Sequence, residues 1–544
     1  MPTLHWIGKD KVINHHLDVP FRVLDHQYTY DNGTQKASTQ NESGNKIIHG
    51  DNLEALKALL PEYEGKIKCI YIDPPYNTGN EGWVYNDNVS DPKLKKWLGQ
   101  VVGKEAEDLT RHDKWLCMMY PRLKLLHKLL ADDGAIFISI DEHEMTNLTL
   151  MCSEIFGLSN FIATITVIVK PEGRRYGFFA KTHEYIIVFS KNYQSISLNE
   201  IEVEGTKYTY FDENGGFNLK GLRNRNVKSF NSTNRPNLRY PFYVNLENPD
   251  ENGLFEVSAE FNEEWTEVMA STVDGLDSVW RWGKEKAQKQ KSDLTAYKGT
   301  DGNIRIFQKE RKLTQTAKTT WDSKNFHSIK GTRELTELLG KSIFDFPKPE
   351  MLIRQVLTIG TNEDDIILDS FAGSGTTAHA VLNLNKADGG NRKFIIIEME
   401  DYANSITAER VKRVINGYGD KEGTGGSFDF YELGPALFLE DGNLNEAVGI
   451  DRIREYIWYS ETQKPFTAPT STQNEVFLGI ENDTAFYFYY APDEITSLDH
   501  EFLASIKTKA EQYVIYADNC LLTKEFMAKY HIIFKKIPRD ITRF

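Results

Sequence analysis

The stretch KIKCIYIDPPYNTG, residues 66–79, decides the fold of the chain. Its apolar run, residues 67–72, predicts a short buried strand. Two prolines follow Asp73 directly, and the strand must end there because neither proline can donate to a sheet ladder. Asp73 is therefore expected at the carboxyl end of a strand, the edge at which open α/β sheets bind ligands.

Asp73, Pro74, Pro75 and Tyr76 together suit an exocyclic amino group on a planar base. The Asp73 carboxylate and the Pro74 carbonyl can accept the amine hydrogens, while the Tyr76 ring stacks on the base. A strand that ends in a plain Pro-Pro turn explains the same four residues without any chemistry. The choice between these two interpretations depends on the remaining sequence.

The composition is that of an ordinary globular protein. Its 544 residues suggest about two to four domains. The four cysteines have no paired spacing, which argues against a disulfide framework or a zinc knuckle and favours a reducing cytoplasm. The N-terminus does not have the pattern of a signal peptide, and no apolar run reaches the roughly 18 residues of a membrane span. A cytoplasmic protein with no membrane partner is expected.

A basic window contrasts with the net charge of −15. Residues 214–246 contain six Lys or Arg side chains, many asparagines and no acidic residue. Arg and Lys neutralise phosphates, and Arg and Asn bind base edges, so the window predicts nucleic-acid contact. A solvated surface is the alternative, both here and for the basic, glycine-containing loop at 170–177. The candidate DNA contacts are Arg174, Arg175, Lys220, Arg223, Arg225, Lys228, Arg235, Asn237 and Arg239.

A second constellation follows where the α/β alternation returns, after residue 344. The strand predicted at 365–369 leads into SFAGSGTT, residues 370–377, and then into a helix at 378–385 that Thr376 or Thr377 is expected to cap. Small residues at such a turn let a ligand approach the backbone closely. The next predicted strand, residues 393–397, ends in Glu398, an acid placed to hold ribose hydroxyls. The pattern is neither a dinucleotide fingerprint nor a P-loop, and it predicts a nucleoside-like cofactor.

The two constellations predict one doubly wound α/β sheet, with an amine acceptor on one half and a nucleoside-like cofactor on the other. With DPPY at 73–76, a recognition region at roughly 200–340 and FAGSG at 371–375, the chain resembles the β class of S-adenosylmethionine-dependent DNA amino-methyltransferases. The segments LHWIGK (4–9), RPNLRYP (235–241) and IFKKIPRD (533–540) are similar, more narrowly, to Mod subunits of type III restriction–modification systems.

This resemblance implies a circularly permuted, Rossmann-like methyltransferase sheet that transfers a methyl group from S-adenosylmethionine to adenine N6 in double-stranded DNA. Asp73, Pro74, Pro75 and Tyr76 would be the catalytic motif, and Asp73 stands where cytosine-N4 enzymes often carry Ser, which points to adenine. Metal has no role in this chemistry. The implied cofactor-binding residues are Asp51, Lys348, Asp369, Phe371, Ala372, Gly373, Gly375, Thr376 and Glu398.

The expected domains are the two halves of the methyltransferase domain at 1–199 and 344–420, a target-recognition domain at 200–343 between them, and a small α/β C-terminal domain at 427–544. The C-terminal domain would serve a homodimer or the docking of a restriction (Res) subunit, or it would only stabilise the chain. The alternatives for function are a solitary or type II-like adenine methyltransferase, a methyltransferase acting on cytosine N4, RNA or a protein glutamine, and a DNA-binding protein without catalysis.

Overall fold

The computed structural model describes residues 3–37, 43–78, 111–176, 178–202, 207–311, 314–340, 344–469 and 476–539. The chain forms two compact units, one made of residues 1–199 and 318–544 and the other of residues 200–317.

The first unit begins with alternating strands and helices. Its described helices before residue 199 are α1 (Lys9–Val12), α2 (His15–Asp18), α3 (Asn52–Tyr63), α4 (Arg111–Leu129) and α5 (Met145–Phe156). Its strands in the same part of the chain are β1 (Arg22–Asp31), β2 (Thr34–Lys36), β3 (Lys46–His49), β4 (Ile67–Ile72), β5 (Leu130–Ile140), β6 (Phe161–Ile168), β7 (Arg174–Tyr176), β8 (Phe179–Lys181) and β9 (His183–Ser190).

The second unit is built mainly of short antiparallel strands around a core that contains Phe242, Trp280 and Trp282. Its largest sheet has four strands, and its helix α6 spans Lys284–Lys289. The strands are β10 (Ile201–Glu202), β11 (Tyr210–Asp212), β12 (Gly215–Gly221), β13 (Phe242–Asn245), β14 (Glu256–Ser258), β15 (Thr266–Val268), β16 (Thr272–Val273), β17 (Leu276–Asp277), β18 (Leu294–Lys298), β19 (Ile304–Glu310) and β20 (Thr314–Gln315).

The first unit resumes after residue 318. Its further helices are α7 (Ser328–Leu339), α8 (Glu350–Gly360), α9 (Thr376–Asp388), α10 (Glu409–Asn416), α11 (Ile450–Thr462), α12 (His500–Ser505) and α13 (Lys524–Lys529). Its further strands are β21 (Thr320–Trp321), β22 (Ile366–Asp369), β23 (Lys393–Glu398), β24 (Gly417–Tyr418), β25 (Lys421–Glu422), β26 (Ser427–Ala436), β27 (Phe477–Glu481), β28 (Thr484–Phe488), β29 (Ser497–Leu498), β30 (Gln512–Ala517), β31 (Asn519–Cys520) and β32 (Ile532–Lys536).

Eleven strands of the first unit form one sheet in the order β2-β1-β26-β3-β23-β22-β4-β5-β9-β6-β21. From β26 to β5 neighbouring strands run parallel, and β9 runs antiparallel to β5. Helices α3, α4 and α5 pack on one face of this sheet, while α8 and α9 pack together against the other. Helices on both faces of a mostly parallel sheet confirm the predicted doubly wound α/β fold.

The predicted strand at residues 67–72 is confirmed as β4, in the middle of the sheet. All six of its residues are buried, as expected for a strand that helices cover on both faces. Lys68 keeps its charge hydrogen-bonded, because its Nζ donates to the Asp133 carbonyl at 2.7 Å and to the Asp133 carboxylate at 2.6 Å.

Two local predictions are wrong. Neither Thr376 nor Thr377 caps the cofactor-loop helix: Gly375, with a φ of 81°, is its N-cap, and both threonines lie in the first turn. Residues 427–436 do not belong to the C-terminal domain but form β26, which pairs with β1 and β3 because its aromatic side chains, among them Phe428 and Tyr431, are buried in the main sheet.

The last part of the first unit contains a second sheet, in the order β27-β28-β30-β32, with parallel pairing among the last three strands. Over the ranges that the structure describes, none of the helices combines the length and the apolarity needed to cross a membrane.

Substitution of Gly331 by alanine is expected to destabilise the first unit. Gly331 lies in α7, and a Cβ built on it would come within 2.0 Å of the Pro347 carbonyl oxygen. Because that oxygen belongs to the backbone, α7 or the segment before α8 must move, at a cost of roughly 1–3 kcal/mol in the free energy of unfolding. Urea unfolding measures this cost, and a midpoint equal to that of the unsubstituted protein contradicts the prediction.

Candidate active site

The two constellations meet because β4 and β22 are neighbours. These strands pair in parallel, with Cys69 opposite Ile367 and Ile70 opposite Leu368. Parallel neighbours end at the same edge of a sheet, so Asp73 and the loop at 370–377 emerge side by side despite their distance in sequence. This edge, formed by carboxyl ends, is where doubly wound sheets bind ligands.

A cavity of about 760 Å³ lies at this edge. Its walls combine residues of both constellations with residues that sequence analysis did not select, above all Glu184 on β9 and the strand β8. Of the predicted catalytic and cofactor-binding residues, four are not part of the lining: Asp51, Pro75, Gly375 and Glu398. The predicted residues that line it are Asp73, Pro74, Tyr76, Lys348, Asp369, Phe371, Ala372, Gly373 and Thr376.

A charged network joins the Asp-Pro-Pro-Tyr motif to the segment before α8. The Lys348 ammonium lies 3.1 Å from Asp73 Oδ1 and 3.2 Å from Glu184 Oε2, and it donates to the Tyr76 hydroxyl at 2.7 Å. The Tyr76 hydroxyl in turn donates to Glu184 Oε2 at 3.0 Å. The Tyr76 hydroxyl is thus held by two charged groups, the Lys348 ammonium lies 4.7 Å from the ring centre, and Tyr76 lines the cavity.

The network sets the protonation of its members. Burial raises the pKa of the Asp73 carboxyl, and the Lys348 ammonium opposes this rise. Burial alone lowers the pKa of Lys348, but the carboxylates of Asp73 and Glu184 outweigh it and raise that pKa. Lys348 is therefore a fixed cation, and it stabilises the ionised form of Asp73 in a site that otherwise disfavours charge.

The backbone of the Asp-Pro-Pro-Tyr motif offers one carbonyl to a ligand. The Trp115 indole, fully buried in α4, donates to the Pro75 carbonyl at 2.7 Å. Within the described ranges no donor reaches the Pro74 carbonyl, and Pro74 lines the cavity. The Pro74 carbonyl therefore remains available as the second amine acceptor that the sequence predicts.

Asn77 ends the motif in a strained conformation. Its φ of 57° lies in the left-handed region, which non-glycine residues rarely adopt. The fully buried side chain donates to the Glu144 carboxylate and to the Arg111 carbonyl. These bonds to α4 and to the start of α5 stabilise the turn. Such strain persists only where the surroundings over-determine it, and it is frequent at functional sites.

The loop at 370–377 is held by the Asp369 carboxylate. Asp369 accepts from the Phe371 N–H at 2.9 Å and from the Thr377 hydroxyl at 2.5 Å. Gly373 and Gly375 both have positive φ, and a Cβ on Gly375 would lie 3.1 Å from the Thr407 carbonyl oxygen. Burial raises the pKa of Asp369 to about 7, so this carboxyl titrates near neutral pH.

Glu398 supports the loop from behind. Its carboxylate accepts from the Gly373 N–H at 2.7 Å and from the Glu400 N–H at 2.9 Å. Burial raises the pKa of Glu398 to about 8, although both backbone bonds favour the ionised form. The residue expected to hold ribose thus lies next to the loop, but its two oxygens contact the protein backbone.

Asp51 lies beside the site and not in it. Its carboxylate caps α3 by accepting from the Leu53 N–H at 2.8 Å, and Arg122 approaches both of its oxygens at 3.5 Å. The next residue, Asn52, contacts the cofactor loop directly, since its Nδ2 donates to the Ser370 carbonyl at 2.9 Å.

Arg410 is a second supporting residue that sequence analysis missed. It is fully buried in α10 and donates from Nη1 to the hydroxyls of Ser374 at 2.9 Å and Thr376 at 2.7 Å. An arginine in an amphipathic helix reads as a solvated side chain, so no local signal could have identified this contact. Glu184 was missed for the same reason, because a lone acid at the start of a strand has no distinctive spacing.

The predicted DNA contacts divide into two groups. Lys220 pairs with Glu310, and Arg239 donates to the carbonyls of Ala270 and Ser278 and pairs with Asp277 at 3.1 Å, so both are engaged within the second unit. Arg223 is half-buried there. The side chains of Arg174 and Arg175 lie outside the described part of the structure. The exposed candidates are Arg225, Lys228, Arg235 and Asn237.

Comparisons with known proteins identify relatives over most of the chain. The model of a family described as DNA methylase, for N6 and N4 methyltransferases, matches residues 67–409. The chain is 35% identical over 423 residues to the type III restriction-modification enzyme EcoPI Mod subunit of Escherichia phage P1. The matched region covers 74% of this chain and 64% of that protein. The chain is 33% identical over 362 residues to the type II methyltransferase M.KpnI of Klebsiella pneumoniae. That matched region covers 66% of this chain and 82% of that protein.

A further relative is the StyLTI Mod subunit of Salmonella typhimurium, a type III restriction-modification enzyme that is 33% identical over 379 residues, covering 67% of this chain and 54% of that protein. The matched part of the chain spans less than two thirds of the length of both Mod subunits.

Glu398 is expected to make stability fall as the pH rises. Its pKa of about 8 in the folded chain lies above its usual value of 4.5. The contribution of Glu398 to the free energy of unfolding is therefore fully present below about pH 4.5 and is lost as the pH rises through about 8. Because Glu398→Gln does not titrate, the free energy of unfolding of the unsubstituted protein relative to this variant should fall across that window. Urea titrations at several pH values measure the difference, and a constant difference contradicts the prediction.

Proposed function

This chain belongs to the DNA methylase family, and on that basis we propose that it transfers a methyl group from S-adenosylmethionine to the 6-amino group of adenine in double-stranded DNA. The observation that carries the proposal is the pairing of β4 with β22, which places Asp73, Pro74 and most of the loop at 370–377 in the wall of one cavity. An amine acceptor and a cofactor loop in one cavity are what such a transfer requires.

S-adenosylmethionine fits the residues of the cavity. The loop at 370–377 has two glycines with positive φ, and Phe371, Gly373 and Thr376 line the wall where the cofactor would lie. The carboxylates of Asp73 and Glu184 outnumber the Lys348 ammonium between them, which favours a cationic ligand. When bound, the cofactor supplies an electrophilic methyl group carried by a sulfonium.

The residues of the motif would prepare the acceptor. A paired base is inaccessible inside the duplex, so the target adenine must flip into the cavity. The Tyr76 ring, held at its hydroxyl by Lys348 and Glu184, would stack on the flipped base and contribute roughly 1–3 kcal/mol to its binding. Pre-positioned aromatic contact of this kind lowers the entropic cost of reaction.

Asp73 and the Pro74 carbonyl would activate the amine. The N6 lone pair is delocalised into the adenine ring, so the free amine is a poor nucleophile. Hydrogen bonds from its two N–H groups to these acceptors favour a tetrahedral nitrogen with a localised lone pair. The Asp73 carboxylate also stands where N6 loses a proton on methylation, and its raised pKa suits it to accept that proton.

We extend the proposal to a modification subunit of a type III-like system, because the EcoPI and StyLTI relatives carry that name. The second unit would read the DNA sequence through Arg225, Lys228, Arg235 and Asn237 on its surface. A restriction subunit and a second copy of this chain would be its partners, docked through the C-terminal domain. A cytoplasmic location agrees with its four free cysteines.

Replacement of Asp73 by alanine should abolish methyl transfer while cofactor binding survives, because Asp73 acts on the acceptor and the loop at 370–377 holds the cofactor. Modification-sensitive sequencing of DNA from a methylation-free host that expresses each protein measures transfer, and calorimetry measures the binding of S-adenosylmethionine. Asp364→Ala is the matched control, since Asp364 is an exposed carboxylate at the opposite end of β22.

Methylated adenines at one short motif, lost in Asp73→Ala and kept in Asp364→Ala, are the expected result. Marks on one strand of an asymmetric motif would support the type III-like assignment, and marks on both strands would oppose it. Unreduced methylation by Asp73→Ala would overturn the catalytic assignment.

Replacement of Lys348 by methionine should shift the pH dependence of transfer towards alkaline pH. Loss of the ammonium removes the charge that lowers the pKa of Asp73, so the carboxylate would ionise only at higher pH. Initial rates between about pH 6 and pH 9 should then show an acidic limb displaced upwards. Lys66→Met, at an exposed lysine before β4, is the control. An unshifted limb in Lys348→Met contradicts the assigned role.

A further inference from the structure

A β-hairpin that forms its own two-stranded sheet connects β6 and β9. Strands β7 and β8 pair antiparallel and continue the antiparallel pair of β6 and β9. The register places Tyr185, near the start of β9, opposite Ile140 at the carboxyl end of β5. The hairpin therefore projects beyond the same sheet edge from which Asp73 emerges.

This hairpin presents two adjacent aromatic side chains to solvent. Phe178 is 102% exposed and Phe179 is 86% exposed. Single exposed apolar side chains are ordinary on protein surfaces, so their place in the fold is what matters here. Phe179, Ala180 and Lys181 also line the cavity that contains Asp73. Phe179 is thus part of the wall of the candidate active site, and Phe178 precedes it in the chain.

The base of the hairpin is firmly attached to the sheet. The N–H groups of Val169 and Lys170 both donate to the Thr182 carbonyl, at 3.0 and 3.1 Å. Lys181 pairs with the buried carboxylate of Asp141 at 3.0 Å and with Glu142 at 2.5 Å, which ties β8 to the segment after β5. These contacts fix the base of the hairpin that carries Phe178 and Phe179.

We infer that Phe178 and Phe179 enter duplex DNA beside the target adenine and fill the space that the flipped base leaves in the stack. This inference rests on the proposed function, because only an enzyme that flips a base creates such a space. The vacated site is flanked by the faces of neighbouring bases, and an aromatic ring replaces part of the lost stacking. A hairpin that lines the cavity mouth lies where the extruded nucleotide passes.

The test compares two DNA duplexes that carry the methylation motif found by sequencing. One is fully paired, and the other has an abasic nucleotide opposite the target adenine, so that flipping is easier. The double variant Phe178→Ala/Phe179→Ala is expected to lose about tenfold or more of its methylation rate on the paired duplex. On the abasic duplex its loss should shrink to about twofold or less. With 2-aminopurine at the target position, its fluorescence gain on binding should fall in parallel.

Tyr193→Ala is the matched control. Tyr193 is a half-exposed aromatic residue that follows β9 at the opposite sheet edge, since the last residue of β9, Ser190, pairs with Ala135. Both variants should keep the melting temperature and the cofactor affinity of the unsubstituted protein.

The inference is overturned if the double variant methylates the paired duplex at the unsubstituted rate, or if its loss is equal on both duplexes. An unchanged rate on the paired duplex would instead favour contact of Phe178 and Phe179 with a protein partner. If the unsubstituted protein methylates neither duplex nor any other adenine-containing DNA, the proposed function fails first, and the inference with it.

Discussion

Parallel pairing between β4 and β22 is the constraint on which the site depends. It places the end of the strand before the Asp-Pro-Pro-Tyr motif next to the end of the strand before the loop at 370–377, so the proposed amine acceptor and the proposed cofactor loop line one cavity. The helices on both faces shield these strands from water, and all six residues of β4 are buried. The candidate active site lies at the carboxyl edge that this pairing defines.

Charge at this edge is managed by burial and by one shared cation. The carboxylates of Asp73 and Glu184 would repel each other across the Tyr76 hydroxyl. The Lys348 ammonium forms ion pairs with both and offsets this repulsion. Asp369 and Glu398, by contrast, are held by backbone and hydroxyl donors, and burial raises the pKa of both carboxyls. Since breaking a buried ion pair leaves one charge uncompensated, Lys348 links the stability of the site to its chemistry.

Hydrogen bonds from several helices position the backbone of the Asp-Pro-Pro-Tyr motif and of the loop at 370–377. Trp115 donates to the Pro75 carbonyl, and Pro74 lines the cavity. Asn77 accepts an unfavourable φ because Glu144 and the Arg111 carbonyl bind its buried amide. Arg410 and Asn52 hold the cofactor loop from below, through hydroxyl and carbonyl groups respectively. These supports come from helices that are not adjacent in sequence to the residues they position.

The sequence by itself determined the strand at 67–72, the break after Asp73, the glycine turn and the doubly wound class, because prolines, glycines and apolar runs act locally on the backbone. It also selected nine of the residues that line the cavity. Only the tertiary structure decided that Glu184 joins Tyr76 and Lys348, that Glu398 turns to the loop backbone, that Lys220 and Arg239 are bonded within their own unit, and that β26 belongs to the main sheet. Strand order and packing set these contacts between distant parts of the chain, and neither is encoded in a local pattern.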